Sequence, residues 1–205
     1  MSDRTVLVGN APLGGCIASL VDGAARVIRF NRARGHGAES GSRTDELYLI
    51  NHGGQMAEWL ERDELPRLAA IGDGVTVVLP IPMLPGHLPA PRPHEPAPDP
   101  DRVNHLEVAR RRLERAGRRV ESVSLAEYRA VQRALATVGG RWRDHHPSTG
   151  FVALFRTLLG ADEDGRRVEL CGFTFEGWRG HSWEAERRWV GARAAEGRLT
   201  VHPVR

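Results

Sequence analysis

The chain reads Pro-Ser-Thr-Gly at residues 147–150, Val-Glu-Leu-Cys-Gly-Phe at 168–173 and His-x-x-x-x-Glu at 181–186. The first stretch is a hydroxyl-bearing loop that opens a helix over residues 151–159, and the second predicts a buried strand. The third stretch sets a titratable histidine at the start of a helix over residues 182–195. A loop, helix, strand and helix in this order can form a nucleotide site with a general base beside it.

Apolar runs elsewhere in the chain predict the sheet to which the strand at 168–173 belongs. Further strands are predicted over residues 5–9, 26–31, 47–51, 75–79, 119–123 and 199–202. The main runs are continuous rather than alternating, which is typical of parallel strands covered on both faces. We therefore expect a single α/β domain over residues 1–205, with a mostly parallel, Rossmann-like sheet and helices on both faces.

The middle of the chain carries two longer predicted helices and a proline-rich loop. The helices are predicted over residues 101–116 and 125–138, and shorter helical pieces over 55–60 and 65–70. Residues 80–100 carry a proline every two to four positions, which excludes a helix or a ladder and predicts an extended loop. Two interpretations of this segment remain open, a surface loop and a lid over a site.

Polar residues follow the ends of the first two predicted strands. Gly9 and Asn10 come after the first strand, and Asn31 ends the second. Ligands of parallel sheets bind at the carboxyl ends of the strands, and a short amide can hydrogen-bond a base, a ribose or a phosphate. The alternative for both asparagines is turn chemistry.

The hydroxyl-bearing loop and the following histidine are the strongest candidates for chemistry. Ser148, Thr149 and Gly150 lie at a helix N-terminus, where free N–H groups and the helix dipole favour an anion; simple helix capping is the alternative. The imidazole of His181 can accept a hydroxyl proton near neutral pH. Glu186 lies more than one helical turn beyond it, so a direct contact between the two is not assured.

Five motifs in one order carry a resemblance to a known family. They are Gly9-Asn10, Arg29-x-Asn31, Gly41-x-Arg-Thr-Asp45, the Pro-Ser-Thr-Gly loop and the His-x-x-x-x-Glu stretch. Together they resemble the large, small and very small sialylmotifs of glycosyltransferase family 29, the sialyltransferases. The resemblance covers residues 5–51 and 147–190 and fails in between.

The resemblance implies an inverting, metal-independent glycosyltransferase on a GT-A-like variant of the Rossmann-like fold. Its donor substrate would be a CMP-activated 2-keto sugar acid, either sialic acid or Kdo, with a glycan or glycolipid acceptor and no cofactor. His181 is then the catalytic base that deprotonates the acceptor. The donor would be held by residues that match the family's motifs, namely Gly9, Asn10, Asn31, Ser148, Thr149, Gly150 and Gly172.

Supporting roles follow from the same resemblance. Glu186 is expected to be structural, and Arg29 to support the fold rather than to touch substrate. The family's third motif, a histidine followed by an aromatic residue, holds the leaving phosphate and has no clear match here. Arg179 and His146 are the candidates for that place.

Composition limits the other function classes. All 29 basic residues are arginine and the net charge is +3; arginine suits phosphate and carboxylate ligands. The densest patch, residues 110–119, lacks the aromatic residues of a base-stacking surface, so we expect no nucleic-acid partner. No apolar stretch predicts a membrane span, and we expect a bacterial, cytoplasmic protein. Cys16 and Cys171 are predicted to be buried free thiols.

Two local patterns that suggest a metal or another nucleotide are weak. Asp162-Glu163-Asp164 matches an acidic triplet that holds a metal in many sugar-nucleotide enzymes, but a solvated turn is the favoured interpretation, and we predict no metal site. The loop after the first strand lacks the glycine pattern of a dinucleotide site and the lysine of a phosphate loop. A non-catalytic sugar-nucleotide-binding accessory protein on the same fold remains the alternative to a transferase.

Overall fold

The structure is a computed structural model that describes residues 3–13, 15–67, 72, 74–91, 98–140 and 146–204. The strands are β1 (Arg4–Val8), β2 (Arg26–Phe30), β3 (Glu46–Tyr48), β4 (Thr76–Leu79), β5 (Leu88–Pro89), β6 (Val103–Asn104), β7 (Arg119–Ser122), β8 (Arg167–Cys171) and β9 (Leu199–Val201). The helices are α1 (Ala18–Asp22), α2 (Gly54–Glu61), α3 (Leu106–Arg115), α4 (Leu125–Ala136), α5 (Thr149–Asp164) and α6 (Trp183–Ala195), with 3-10 turns at Leu65–Arg67 and Pro100–Arg102.

Seven of the strands form one parallel sheet in the order β7-β4-β3-β2-β1-β8-β9. The chain builds outward from β1 through β2, β3, β4 and β7, then returns to β8 on the other side of β1. The strand order therefore reverses between β1 and β8, and such a switch point leaves a crevice at the carboxyl ends of the strands. The predicted α/β class with a parallel, Rossmann-like sheet is confirmed.

Helices cover both faces of the sheet, as predicted. One face carries Leu7, Ile28 and Leu170 and packs against α4, α5 and α6. The other face packs its side chains, among them Val6 and Leu47, against α1, α2 and α3. Successive strand residues point to opposite faces, so a strand covered on both sides needs the continuous apolar run that the sequence shows.

Two helices differ from their predicted bounds. α3 begins at Leu106 rather than at residue 101, because the preceding residues form a 3-10 turn and the short strand β6. α5 continues to Asp164 rather than ending at 159, and Gly165 ends it in the left-handed conformation with φ of 67°. The acidic triplet 162–164 therefore forms the last turn of a helix rather than a separate solvated turn.

The proline-rich segment is fastened to the sheet by two buried asparagines. Asn51 exchanges two hydrogen bonds with the backbone of Ile81, at 2.8 and 2.9 Å. The Asn104 amide donates to the carbonyl oxygens of Ile81 and Pro82, at 3.2 and 3.0 Å. Contrary to the expectation of no ladder, β5 in this segment pairs in parallel with β6. Residues 92–97 of the predicted loop lie outside the described residues.

Arg29 on β2 is fully buried and hydrogen-bonds the loop that follows β2. Its guanidinium donates to the carbonyl oxygens of Ser40, Gly41 and Arg43 and to the Ser40 hydroxyl, at distances from 2.6 to 3.0 Å. Burial lowers the pKa of Arg29 to about 10, partly offset by the charge of Asp22. The expectation that Arg29 supports the fold is confirmed.

The exposure of the cysteines and the length of the helices bear on two further predictions, those of buried thiols and of no membrane span. Cys171 is buried and Cys16 is exposed, and both are free thiols; the prediction that both are buried is therefore wrong for Cys16. Cys16 precedes α1 in a loop, where apolar neighbours in sequence do not guarantee burial. No helix among the described residues has the length and apolar character needed to cross a bilayer.

Replacing Arg29 by methionine should lower the free energy of unfolding by about 3 kcal/mol, because two buried carbonyl oxygens and a partly buried one lose their donor. The measurement is urea unfolding followed by circular dichroism. The control is Arg119→Met on β7, whose exposed side chain lies in a surface ion pair with Glu121 and should contribute less than about 1 kcal/mol. Equal losses in the two variants would contradict the structural role of Arg29.

Candidate functional site

A cavity of about 440 Å³ lies at the switch point of the sheet, where β1, β2 and β8 end. Eight of the residues predicted to form the site line it, namely Gly9, Asn10, Asn31, Ser148, Thr149, Gly150, Gly172 and His181. They come from five separate segments of the chain. The fold therefore brings the early amides, the hydroxyl-bearing loop and the imidazole to one crevice.

Gly9 and Gly172 allow the ends of β1 and β8 to lie in contact. The Gly9 N–H donates to the Cys171 carbonyl oxygen at 2.7 Å, and the Ala11 N–H donates to the Gly172 carbonyl oxygen at 3.1 Å. A Cβ atom on Gly9 would lie 2.1 Å from that Gly172 oxygen, closer than any real contact. Gly172 itself has a φ of +71°, which favours glycine. These two glycines shape the floor of the cavity through backbone contact.

The two asparagines that line the cavity also brace its walls. Asn10 donates from Nδ2 to the Phe30 carbonyl oxygen at 3.0 Å and accepts at Oδ1 from the Arg34 N–H at 2.9 Å. Asn31 has a φ of 52° and accepts at Oδ1 from the Ile50 N–H at 2.9 Å. Asn31 therefore shows the left-handed backbone expected of a turn asparagine, whereas the Asn10 side chain joins segments that are far apart in the sequence.

Glu186 fixes the hydroxyl-bearing loop from beneath. Its carboxylate accepts from the Ser148 N–H at 2.8 Å and from the Ser148 hydroxyl at 2.6 Å. The same hydroxyl oxygen accepts from the Phe151 N–H at 3.1 Å and so caps α5. The Ser148 hydroxyl therefore donates to Glu186 and caps α5, so the helix capping considered as the alternative for this loop is present.

The start of α5 presents hydrogen-bond donors to the cavity. Thr149 and Gly150 are the first two residues of this sixteen-residue helix, and helix geometry leaves their N–H groups without an acceptor inside the helix. Both line the cavity, and the positive end of the helix dipole lies there as well. Phe173 packs against Gly150, since a Cβ there would lie 2.8 Å from its ring. This end of the cavity suits an anionic group.

His181 lies just before α6 with its ring orientation set by the backbone. Its Nδ1 is 2.9 Å from the His146 carbonyl oxygen, and the two residues pair as a parallel β-bridge. A carbonyl oxygen only accepts, so Nδ1 carries the proton, and the neutral ring has its lone pair on Nε2. Edge-to-face contacts with Trp178 and Trp183, at centroid distances of 5.0 and 4.8 Å, hold the ring. This tautomer is the one that a base acting through Nε2 requires.

Three predicted site residues lie elsewhere. Arg179 is exposed and does not line the cavity. Glu186 is buried beneath Ser148 and does not face the cavity, as expected for a structural role. His146 lines a neighbouring cavity, and His145, the other histidine before the loop, lies outside the described residues. Arg179 lies in the turn just before His181, where its side chain is exposed.

Sequence reasoning missed Arg34, His52 and His87. Arg34 lines the switch-point cavity with an exposed side chain and a backbone held by Asn10. Its signal in the sequence was its position just after Asn31, at a strand end. His52 and His87 line the neighbouring cavity; the first follows the predicted strand at 47–51, and the second lies in the proline-rich segment, where no pattern singled it out.

No protein-family model matches the chain. The chain is similar to the urease operon 23 kDa accessory protein of Rhizobium meliloti (strain 1021), with 31% identity over 204 residues that cover 97% of this chain and 92% of that protein. It is also similar to two crystal structures of a mammalian sialyltransferase, one of them in complex with Gal-beta-1-3GalNAc-ortho-nitrophenol. Their TM-scores are 0.60 and 0.59 with 17% and 16% identity, and each match covers 100% of this chain and 70% of the other. At such identity the likeness shows a shared fold.

The Glu186–Ser148 contact predicts a specific pH dependence of stability. Burial raises the pKa of Glu186 from its ordinary 4.5 to about 7, although the hydrogen bonds from Ser148 act in the opposite direction. The folded state therefore holds this proton more tightly than the unfolded chain does. The stabilising contribution is complete below about pH 4.5 and is lost as the pH rises through 7.

The quantity of interest is the difference between the free energies of unfolding of the wild type and of Glu186→Gln. We expect this difference, wild type minus variant, to fall by about 3 kcal/mol between pH 4.5 and pH 8. The measurement is urea unfolding of both proteins across this range. The difference is the useful quantity, because burial lowers the pKa values of His52 and His87 to about 4, and their opposite pH dependence is common to both proteins. A difference that does not change with pH would contradict the raised pKa of Glu186.

Proposed function

The chain belongs to the family of the urease operon 23 kDa accessory protein, and from that premise and the switch-point cavity we propose that it binds a CMP-activated 2-keto sugar acid and transfers the sugar to an acceptor hydroxyl. We also propose a relationship to glycosyltransferase family 29, supported by the five motifs and by the sialyltransferase-like fold. The observation that carries the proposal is the meeting of a helix N-terminus and an oriented imidazole in one cavity.

The donor end of the site is supported by the charges available there. The N–H groups of Thr149 and Gly150 and the dipole of α5 offer stabilisation to a carboxylate or a phosphate. Arg34 supplies a guanidinium at the rim of the same cavity and takes the place first considered for Arg179. Asn31 keeps its amide nitrogen for a ribose or base, since its Oδ1 is bound to Ile50.

In the proposed transfer step His181 acts as the base and accepts one proton. Its Nε2 accepts the proton of the acceptor hydroxyl while the acceptor oxygen attacks the anomeric carbon of the sugar acid. The bond between that carbon and the phosphate oxygen breaks with inversion, and CMP leaves with the electron pair. The His146 carbonyl oxygen stabilises the imidazolium through Nδ1. The proton then passes from His181 to water.

A non-catalytic sugar-nucleotide-binding role is the second candidate. It is favoured by the name of the similar rhizobial protein, an accessory protein of the urease operon. In this version the switch-point cavity binds the nucleotide sugar as a ligand, and the chain acts as an accessory protein on the same fold. The two candidates share the donor site and differ only in whether His181 moves a proton.

Calorimetric titration should show CMP binding, with weaker or undetectable binding of CDP, UDP and NAD. Arg34→Gln should weaken CMP binding about tenfold or more, because a charge-assisted hydrogen bond to phosphate is lost. Arg179→Gln is the matched control, since this exposed arginine lies outside the cavity, and should bind CMP like the wild type. Absence of CMP binding to the wild type would end both candidate functions.

His181→Asn separates the transferase from the non-catalytic candidate. The asparagine amide can replace Nδ1–H as a donor to the His146 carbonyl oxygen, so the local fold and CMP affinity should be kept while the base is removed. Acceptor-dependent release of CMP from the CMP-sugar should fall about 100-fold or more. His202→Asn, which changes a histidine paired with Glu169 outside the cavity, is the control. Absence of acceptor-dependent CMP release by the wild type would favour the non-catalytic role, and equal acceptor-dependent release by wild type and His181→Asn would reject His181 as the base.

A further inference from the structure

A second and larger cavity, of about 810 Å³, adjoins the switch-point cavity. Its walls are one face of α4, the proline-rich segment at 84–87 and the 3-10 turn before β6. Its polar lining residues are His52, His87, Asp101, Arg102, Arg129, Gln132, Arg133 and His146. The proposed donor site uses none of these side chains; of His146 the proposed function uses only the backbone carbonyl oxygen.

The mouth of this cavity is strongly basic. Arg129, Gln132, Arg133 and Ala136 are spaced i, i+3, i+4 and i+7, so α4 turns one face toward the cavity. Two like charges four residues apart on a helix repel each other. Within the described part of the chain, neither Arg129 nor Arg133 forms an ion pair. Among the described residues that line the cavity, these two arginines and Arg102 face one carboxylate, that of Asp101, so the excess positive charge suits an anion.

The floor of this cavity, in contrast, is formed by imidazole rings. The rings of His52, His87 and His146 cluster with centroid distances of 4.3, 5.8 and 6.0 Å. Burial, followed by the neighbouring histidines, lowers the pKa of His52 and of His87 to about 4. At neutral pH the rings of His52 and His87 are therefore neutral and offer hydrogen bonds to a ligand.

The tautomer of His87 is fixed by a backbone donor. The Leu84 N–H donates to His87 Nδ1 at 3.3 Å. The Asn104 amide nitrogen, which donates to the carbonyl oxygens of Ile81 and Pro82, lies 3.2 Å from the same Nδ1. His87 Nδ1 therefore accepts, and the proton lies on Nε2.

His87 Nε2 is thus a buried donor, and among the described residues it has no acceptor. A protonated Nε2 is not a metal ligand, so this histidine cluster is better suited to oxygen atoms of a ligand than to a metal ion. Buried donors without a partner are rare in folded proteins, and a ligand oxygen would satisfy this one.

The two cavities are separated by the backbone pairing of His146 with His181. His146 lines the larger cavity and His181 the smaller one, and the two are joined by the 2.9 Å contact of His181 Nδ1 with the His146 carbonyl oxygen. Trp178 stacks on the His146 ring at 6.4 Å and 12° and meets the His181 ring edge-on. A ligand in the larger cavity would therefore lie beside the proposed base.

We propose that the larger cavity binds the acceptor, and that this acceptor is a hydroxyl-bearing compound with a phosphate or carboxylate group held by Arg129, Arg133 and Arg102. This assignment rests on the proposed transferase function. The anionic group lies at the arginine mouth, and neutral hydroxyl groups contact the histidine floor. The reacting hydroxyl points toward His181.

The test is a titration of the wild-type protein with glucose, glucose 6-phosphate and glucuronate, followed by the NMR signals of the His52 and His87 rings. Both anionic sugars should shift these signals at concentrations at which glucose does not. Arg129→Gln/Arg133→Gln should weaken binding of the anionic sugars about tenfold or more. Arg111→Gln/Arg115→Gln, an exposed pair with the same spacing on α3, is the matched control and should bind like the wild type.

Three results would overturn the assignment: equal shifts by glucose and the anionic sugars, no shift by any of them, or unchanged binding in the α4 double variant. Shifts of His87 on addition of CMP would also overturn it, because the cavity would then hold the donor. A parallel CMP titration followed at the Thr149 and Gly150 amide signals keeps the two proposals apart. Binding of anionic sugars without CMP binding would retain an anion site in the larger cavity and remove the donor assignment.

Discussion

The buried carboxylate of Glu186 is the interaction on which the rest of the site depends. It lies on α6, five residues after His181, and holds both the N–H and the hydroxyl of Ser148 at the start of α5. The relative positions of the imidazole and the helix N-terminus are therefore set by one pair of hydrogen bonds in the protein interior, where such bonds are strong and their loss is costly. Burial raises the pKa of the Tyr128 hydroxyl on α4, and the charge of Glu186 raises it further.

The two cavities differ in how they present polar groups. The switch-point cavity presents backbone N–H groups, an arginine at its rim and glycines that bring strand ends into contact. Parallel sheets form such sites at the carboxyl ends of their strands. The larger cavity uses side chains from a helix face and from a segment tied down by Asn51 and Asn104. The first is therefore determined mainly by topology, and the second by side-chain identity.

The sequence patterns predicted the structural features that depend on the periodicity of apolar residues. They failed to predict features that depend on contacts between residues far apart in the sequence. The runs at β1, β2 and β8 identify strands covered on both faces, because burial on two sides requires continuous apolar residues. The order of motifs also predicted which residues share a crevice. That the Ser148 hydroxyl is committed to Glu186 could not be predicted, because the carboxylate lies 38 positions away.

The histidine cluster shows the same limit. His52, His87 and His146 come from three segments with no common spacing, and only the folded chain brings them together. The predicted start of α3 at residue 101 failed for a related reason. Asn104 has no strong local preference against a helix, yet its hydrogen bonds to Ile81 and Pro82 and its pairing in β6 hold it in an extended conformation.

The position of β1 has a consequence for how the chain folds. Thr5 pairs with Arg26 on one side and with Val168 on the other, so the central strand acquires one neighbour early in synthesis and the second only when most of the chain has emerged. Until then one edge of β1 has unpaired backbone groups, which invite pairing with other chains and make such non-local sheets slow to complete. The crevice between Gly9 and Gly172 is therefore among the last parts of the molecule to form, and productive biosynthesis depends on protecting that open edge.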